Sequence, residues 1–370
     1  MIADPFGALL RGERVSWNTL GMSVEQFLDF CREAEIDGLA FEALATAGID
    51  WPEAVASELG TRVRAGAGVE LVRAREARGV LDALAAADVR ALVFKGTALA
   101  YSVYSQPAFR PRNDTDLLVR PADAQAARET LESLGYIATN YSDGQVLFRQ
   151  FELQRRDQFG LTHAVDIHWA LSTQAVFADQ FGFEELEAGA VPIPSLGEHA
   201  RGLGLTDALL VACVHPAMHH RNEERLIWLY DIHLVASRLT DPDWGRFAGA
   251  ATGKSMGGVC LHWLTRAAER LDTPFPADVR GRLTAASARG EPSARYLEPG
   301  RRWGDELAAS LVALTWRDRL RLLREVAFPA PRYMLAAYGM AGVPLGGILL
   351  PALYAHRGAR GAWKVLTGRK

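Results

Sequence analysis

The tightest constraint on this chain is an ordered set of three short segments. An apolar run, Ala91-Leu92-Val93-Phe94, passes into Lys95-Gly96-Thr97. Asp114-Thr115-Asp116 then opens a second apolar run, and Asp166 lies inside Val165-Asp166-Ile167-His168-Trp169. Side chains alternate along a strand, so Asp114 and Asp116 share one face and Thr115 takes the other. By the same rule Asp166 and His168 share a polar face, while Val165, Ile167 and Trp169 face a core. Two such strands side by side bring three carboxylates to one point. They remain ionised together only with a cation among them, and hard oxygen donors select magnesium or manganese. Gly96 lets backbone approach a phosphate closely, and the helix expected after it presents free amide hydrogens to an anion. Thr97 adds a hydroxyl. Alone, Gly96 would be an ordinary strand-to-helix turn and Asn113-Asp114 another turn; the ordered combination points to a metal-bound nucleotide.

Four further groups belong to this reading. Lys95 reaches either phosphate or one of the aspartates. Arg112, on the Asp114 side if the strand extends that far, suits a bidentate phosphate contact and the leaving group's charge, with Arg110 just upstream. His215 and His219 are four residues apart and share a helix face. They lack the glutamate of a His-Glu-X-X-His zinc motif, so they are read, with His168, as lining an acceptor cleft. Trp228 and Tyr230 are read as core.

Along the chain, residues 16–47 read as helices from the steps Phe27, Phe30, Cys31, Ala34, and a second helical pattern runs from about Val69 to Ala86. Pro121 suits a first helical position and Gly135 the residue just past an end, which predicts a helix from Pro121 to Leu134. Val146 to Leu153 and His163 to Trp169 are strand candidates, with Tyr136 to Asn140 a short edge. From Thr206 onward helical periodicity dominates, broken at Asp241-Pro242, Thr273-Pro274, Arg289 to Gly300 and Phe328-Pro329-Ala330-Pro331. This divides the chain into a helical segment, 1–87, a core, 88–200, and a helical region, 201–370.

At 370 residues, with 49% hydrophobic and 23% charged residues, the chain can bury a substantial core. Cys31, Cys213 and Cys260 are scattered, which supports neither a disulfide framework nor a thiolate zinc site. No basic-then-apolar leader opens the sequence, so a reducing cytoplasm is the expected compartment. The net charge of −3 is uneven: residues 317–370 hold ten Lys or Arg and two acidic residues, a net +8, leaving −11 on the rest. Such a tail attracts phosphate-rich partners or an anionic membrane surface, and is equally a solvated basic face. Tyr333 to Ala355 carries no charge, yet Pro344, Pro351 and its glycines disfavour a membrane span.

The strand into Lys95-Gly96-Thr97, the run Arg110-Pro111-Arg112-Asn113-Asp114-Thr115-Asp116-Leu117-Leu118-Val119 and the later Asp166 resemble the DNA polymerase beta-like nucleotidyltransferase superfamily. Within it the chain is most similar to a bacterial group of uncharacterised nucleotidyltransferases. The resemblance is best over residues 66–170 and continues through His215, His219, Trp228 and Asp231. Most of the superfamily has Gly-Ser where this chain has Gly96-Thr97. The resemblance implies an α+β fold: a small mixed-sheet core with helices, flanked by N-terminal helices and a large C-terminal helical region. It implies transfer of NMP from an NTP, ATP foremost, to an acceptor hydroxyl with release of pyrophosphate. Asp114, Asp116 and Asp166 would hold Mg2+ or Mn2+, and Lys95, Gly96, Thr97 and Arg112 would bind the nucleotide. The acceptor stays open among small molecule, protein and RNA. The Lys-Gly-Thr-Ala-Leu form also resembles toxin-like nucleotidyltransferases that modify RNA, and a non-catalytic nucleotide-binding module in a biosynthetic pathway is the other alternative.

Overall fold

A computed structural model of the chain describes residues 5–139, 149–298, 300–301, 303–340, 343 and 346–367. Seven strands form one mixed sheet: β1 (Ala91–Val93), β2 (Asp114–Val119), β3 (Ile137–Ala138), β4 (Gln150–Arg156), β5 (Thr162–His168), β6 (Val191–Pro192) and β7 (Arg201–Gly202). Across the sheet they run β3-β4-β5-β2-β1-β7-β6, with β2–β5 and β1–β7 parallel and the other pairs antiparallel. The fold is α+β.

Alternation assigns the two faces of this sheet to two apolar clusters. Val93, Leu117, Val119, Leu153, Val165 and Ile167 pack beneath the sheet with Val80, Leu81 and Leu84 of the Glu53–Ala86 helix and Ala127 and Leu131 of the Ala124–Ser133 helix. Leu92, Phe94 and Leu118 point the other way, into a cluster shared with the N-terminal helices and the Leu205–His219 and Leu226–Ala236 helices. Each fully buried Leu or Phe contributes about 1.5–3 kcal/mol, so both faces are held firmly. The second face also carries Asp114, Asp116, Asp166 and His168, between the sheet and the C-terminal helices.

The Glu53–Ala86 helix runs 34 residues and joins both clusters, Val55 and Leu59 in one and Val80, Leu81 and Leu84 in the other. Periodicity predicted it only from about Val69. Its first half includes Gly60, Gly66 and Gly68 and buries few side chains, so it shows no continuous apolar stripe. The helix predicted from Pro121 to Leu134 begins as a 3-10 turn at Pro121–Asp123 and continues as Ala124–Ser133; Gly135 follows at φ +84°, the left-handed conformation glycine adopts freely.

Of the Val146 to Leu153 candidate, residues 146–148 lie outside the described residues, and the strand runs Gln150–Arg156; Asn140 likewise lies outside them. The two-residue strands β6 and β7, and a parallel pair at Val15–Ser16 and Gly48–Ile49, carry too little pattern to be read from sequence. From Leu205 onward the described structure is helical; breaks fall near the predicted positions, with Asp241-Pro242 opening a helix, and further breaks after His219, Gly253, Ala313 and Ala337 lie outside the prediction. Among the described residues no helix is long and apolar enough to cross a membrane.

Candidate metal and nucleotide centre

Strands β2 and β5 are parallel with Asp116 opposite Asp166, Asp114 opposite Ala164 and Leu118 opposite His168. This register brings the distant Asp166 beside the Asp-X-Asp pair. Ligand atoms of Asp116, Asp166 and His168 lie within 4.8 Å of one another, a group of donors able to hold a metal ion. Asp114 stands two residues earlier on the same face, exposed at the mouth of the strand. The donor group therefore differs from the three-aspartate set expected from sequence. His168, read as part of an acceptor cleft, instead touches Asp116, and Asp114 occupies the rim.

Asp116 is the most engaged of these groups. Its Oδ1 accepts from Lys95 Nζ at 2.7 Å and lies 2.9 Å from His168 Nε2. Burial raises its pKa, but the Lys95 charge and the His168 hydrogen bond outweigh it and hold the carboxyl ionised well below the usual range. Asp166 has no such help. Its Oδ1 is buried without a hydrogen-bond partner, and burial followed by the charges of Asp116 and Asp114 pushes it to about 8. Although Asp114 is open to solvent at the rim, partial desolvation of its carboxyl by the site, followed by the Asp116 charge, lifts it to about 6. Burial and the Lys95 ammonium lower His168 to about 4, so its ring is neutral, and its Nδ1 is also without a partner. Neutral imidazole, two converging carboxylates and an orphaned buried oxygen fit a divalent cation.

The turn before the helix differs from expectation in an informative way. The residue with a left-handed backbone is Lys95, at φ +53°, while Gly96 already belongs to the Lys95–Ser102 helix. A non-glycine residue there stores roughly 1 kcal/mol or more. The unusual turn accompanies a Lys95 ammonium directed at Asp116, and Phe94 N–H donates to the Asp116 carbonyl at 3.2 Å. A Cβ on Gly96 would meet the Arg110 guanidinium at 3.6 Å, an ordinary contact. The glycine is thus not required by the protein's own packing.

Two residues expected at the phosphates are committed elsewhere. Arg112 is buried on the Thr115 side. Its Nη2 pairs with Glu70 Oε1 at 2.9 Å, and its Nη1 donates to Thr115 Oγ1 at 2.8 Å and Thr97 Oγ1 at 3.2 Å. Thr97 Oγ1 also donates to the Asp114 carbonyl at 3.2 Å. These side chains brace the strand mouth from below; the strand begins only at Asp114, so the alternation that would have turned Arg112 to the Asp114 side does not reach it. Glu70, the carboxylate that anchors them and also accepts from Tyr101 Oη at 2.7 Å, had no signal in the sequence beyond its place in a helix.

The C-terminal helices close the centre from above. Arg110 makes a bidentate pair with Asp231, Nε to Oδ1 and Nη2 to Oδ2 both at 2.9 Å, and Tyr104 Oη donates to Asp231 Oδ1 at 2.7 Å. His219 Nε2 lies 3.1 Å from the Leu171 carbonyl, and burial keeps this histidine neutral, at about 3. His215 sits edge-on to buried Trp228, ring centroids 5.3 Å apart, with Nδ1 buried and unpartnered. A cavity of about 50 Å³ beside the centre is lined by Lys95, Gly96, Leu99, Ala208, Val211 and His215, among others. His168 and His219 do not line it.

No curated protein matches the sequence. The model of the uncharacterised nucleotidyltransferase family matches residues 21–272, spanning the N-terminal helices from Val24 onward, the whole seven-stranded sheet and the helices that carry His215, His219, Trp228 and Asp231. With a buried Asp-Asp-His group suited to a divalent cation at its centre, the chain belongs to this family of nucleotidyltransferases.

Proposed function

We propose that the chain transfers NMP from an NTP to an acceptor hydroxyl and releases pyrophosphate, with Mg2+ or Mn2+ at Asp116 and Asp166. The observation that carries this reading is the register match of those two aspartates, with a buried, unpartnered oxygen on Asp166. Asp116, Asp166 and His168 would hold the metal, with Asp114 at the rim, and when bound it supplies positive charge for the phosphates and acidifies the acceptor hydroxyl. Lys95 keeps Asp116 ionised and adds a cation beside the phosphates. The first amides of the Lys95–Ser102 helix, at Gly96 and Thr97, donate to phosphate oxygens.

The acceptor oxygen attacks the α-phosphorus in line. An O–P bond forms to the acceptor, the bond from the α-phosphorus to the bridging oxygen breaks, and pyrophosphate leaves with that electron pair. The hydroxyl proton passes to an Asp166 carboxylate oxygen that does not hold the metal, and from there to water. His215, whose Nδ1 is free of other partners, receives the acceptor through the cavity it lines. ATP is the first nucleotide to try, and the acceptor class is what the experiment identifies.

The test is incubation of the protein with each α-labelled NTP, magnesium and a total cell extract, followed by separation of RNA, protein and small molecules. Label on one fraction with matching pyrophosphate is the expected result, and Asp166→Asn should transfer none. Full turnover in Asp166→Asn would sink the proposal. Magnesium-dependent ATP binding without pyrophosphate release would favour a binding module.

A further inference from the structure

The Trp316–Ala327 helix carries two apolar stripes. Leu322 turns inward with Val326 and Leu314, against Ala175. Trp316, Leu320 and Leu323 form a separate line and stay 66%, 59% and 45% exposed. At about 100° per residue these three fall within roughly 60° of one another. Arg317, Arg321 and Arg324 border that line on one side and Arg319 on the other, while the acidic residues of the helix, Asp318 and Glu325, lie on the far side. Beyond the helix, Phe328, Ile348 and Trp363 are exposed as well, at 65%, 71% and 62%.

A solvent-facing Trp-Leu-Leu line edged with arginine does not match an ordinary solvated helix face, which would be polar. A second copy of the chain is a poor occupant, because pairing two such lines sets arginine against arginine. Nucleic acid would use the arginines but leave the leucines in water. An anionic bilayer satisfies both parts at once: indole and leucine side chains enter the boundary between headgroups and acyl chains, and guanidinium groups pair with lipid phosphates. No described helix is both long and apolar enough to cross, so the contact proposed lies in the plane of the surface. The excess of basic residues in 317–370, against −11 on the rest, orients this end toward the lipid.

We propose that the C-terminal end docks on an anionic membrane surface, with Trp316, Leu320 and Leu323 inserted and Arg317, Arg321 and Arg324 on the headgroups. This docking is independent of the transfer reaction and can fail without affecting it.

The experiment is flotation of the full chain with vesicles of phosphatidylcholine alone or mixed with phosphatidylglycerol. Binding to the mixed vesicles, weakened by salt, is expected. Trp316→Ser/Leu320→Ser/Leu323→Ser should lower it roughly tenfold or more, with an unchanged melting temperature because these side chains are exposed. Arg317→Gln and Arg324→Gln should each weaken it about fivefold. No binding to either vesicle would overturn the proposal. So would a dimer in sedimentation velocity that the triple variant abolishes, or retention of RNA without retention of vesicles.

Discussion

Asp116 and Asp166 face each other in register on parallel strands, yet their carboxyls are driven in opposite directions. Lys95 and His168 both converge on Asp116 Oδ1 and hold it ionised, while Asp166 bears the repulsion with no partner for its buried Oδ1. The pair thus carries one uncompensated carboxyl. Lys95 serves Asp116 and leaves the deficit on Asp166.

The two aspartates should therefore respond differently to the same substitution. Asp116→Asn strands the Lys95 ammonium and should cost about 3 kcal/mol of stability. Asp166→Asn removes a repelled carboxyl and should raise the melting temperature of metal-free protein at pH 8. Both should lower transfer about 10³-fold or more. Urea denaturation beside an activity assay checks this; equal destabilisation by both variants would contradict it.

Metal-free protein should lose stability on both sides of neutrality. The folded pKa of Asp166, about 8, lies above the ordinary 3.8, so its contribution is full below pH 3.8 and disappears as pH rises through 8. His168 at about 4 and His219 at about 3 are lowered from 6.5, so their contribution is full above 6.5 and disappears as pH falls toward those values. Melting curves in chelator across pH 4–9 should show a maximum between these limbs. Magnesium at pH 8 should restore the alkaline side, and Asp166→Asn should flatten it. A pH-independent melting temperature would refute the assignment.

Gly96→Ala separates ligand approach from folding. The new methyl meets Arg110 at an ordinary 3.6 Å, so stability should stay within about 1 kcal/mol. The KM for nucleotide should rise if, as proposed, phosphate binds against Gly96, because the methyl intrudes there. Unchanged kinetics would remove Gly96 from the site.

Arg112 should behave as a brace. Arg112→Lys and Glu70→Gln break the same buried pair and should each cost about 3 kcal/mol by denaturant unfolding. A rise in nucleotide KM in Arg112→Lys with unchanged stability would instead place the guanidinium at phosphate.

The buried Arg110–Asp231 pair should be a joint between sheet and helices. Asp231→Asn leaves a buried guanidinium uncompensated and should cost about 3–5 kcal/mol, whereas Tyr104→Phe removes one hydrogen bond and should cost about 1–2 kcal/mol. Calorimetry distinguishes them; a silent Asp231→Asn would argue against the joint.

Local pattern by itself determined the strands around Asp114–Asp116 and Asp166, the faces those side chains share, the helix between Pro121 and Gly135 and the helical C-terminal half, because alternation, capping and helical period are written within a few residues. Tertiary structure alone decided which distant groups meet. Whether Arg112 finds phosphate or Glu70 depends on what the Glu53–Ala86 helix brings to the sheet, and whether His168 lines a cleft or touches Asp116 depends on which strands pair and in what register. A buried charge takes whatever counter-charge packing delivers, and sequence spacing does not record that delivery.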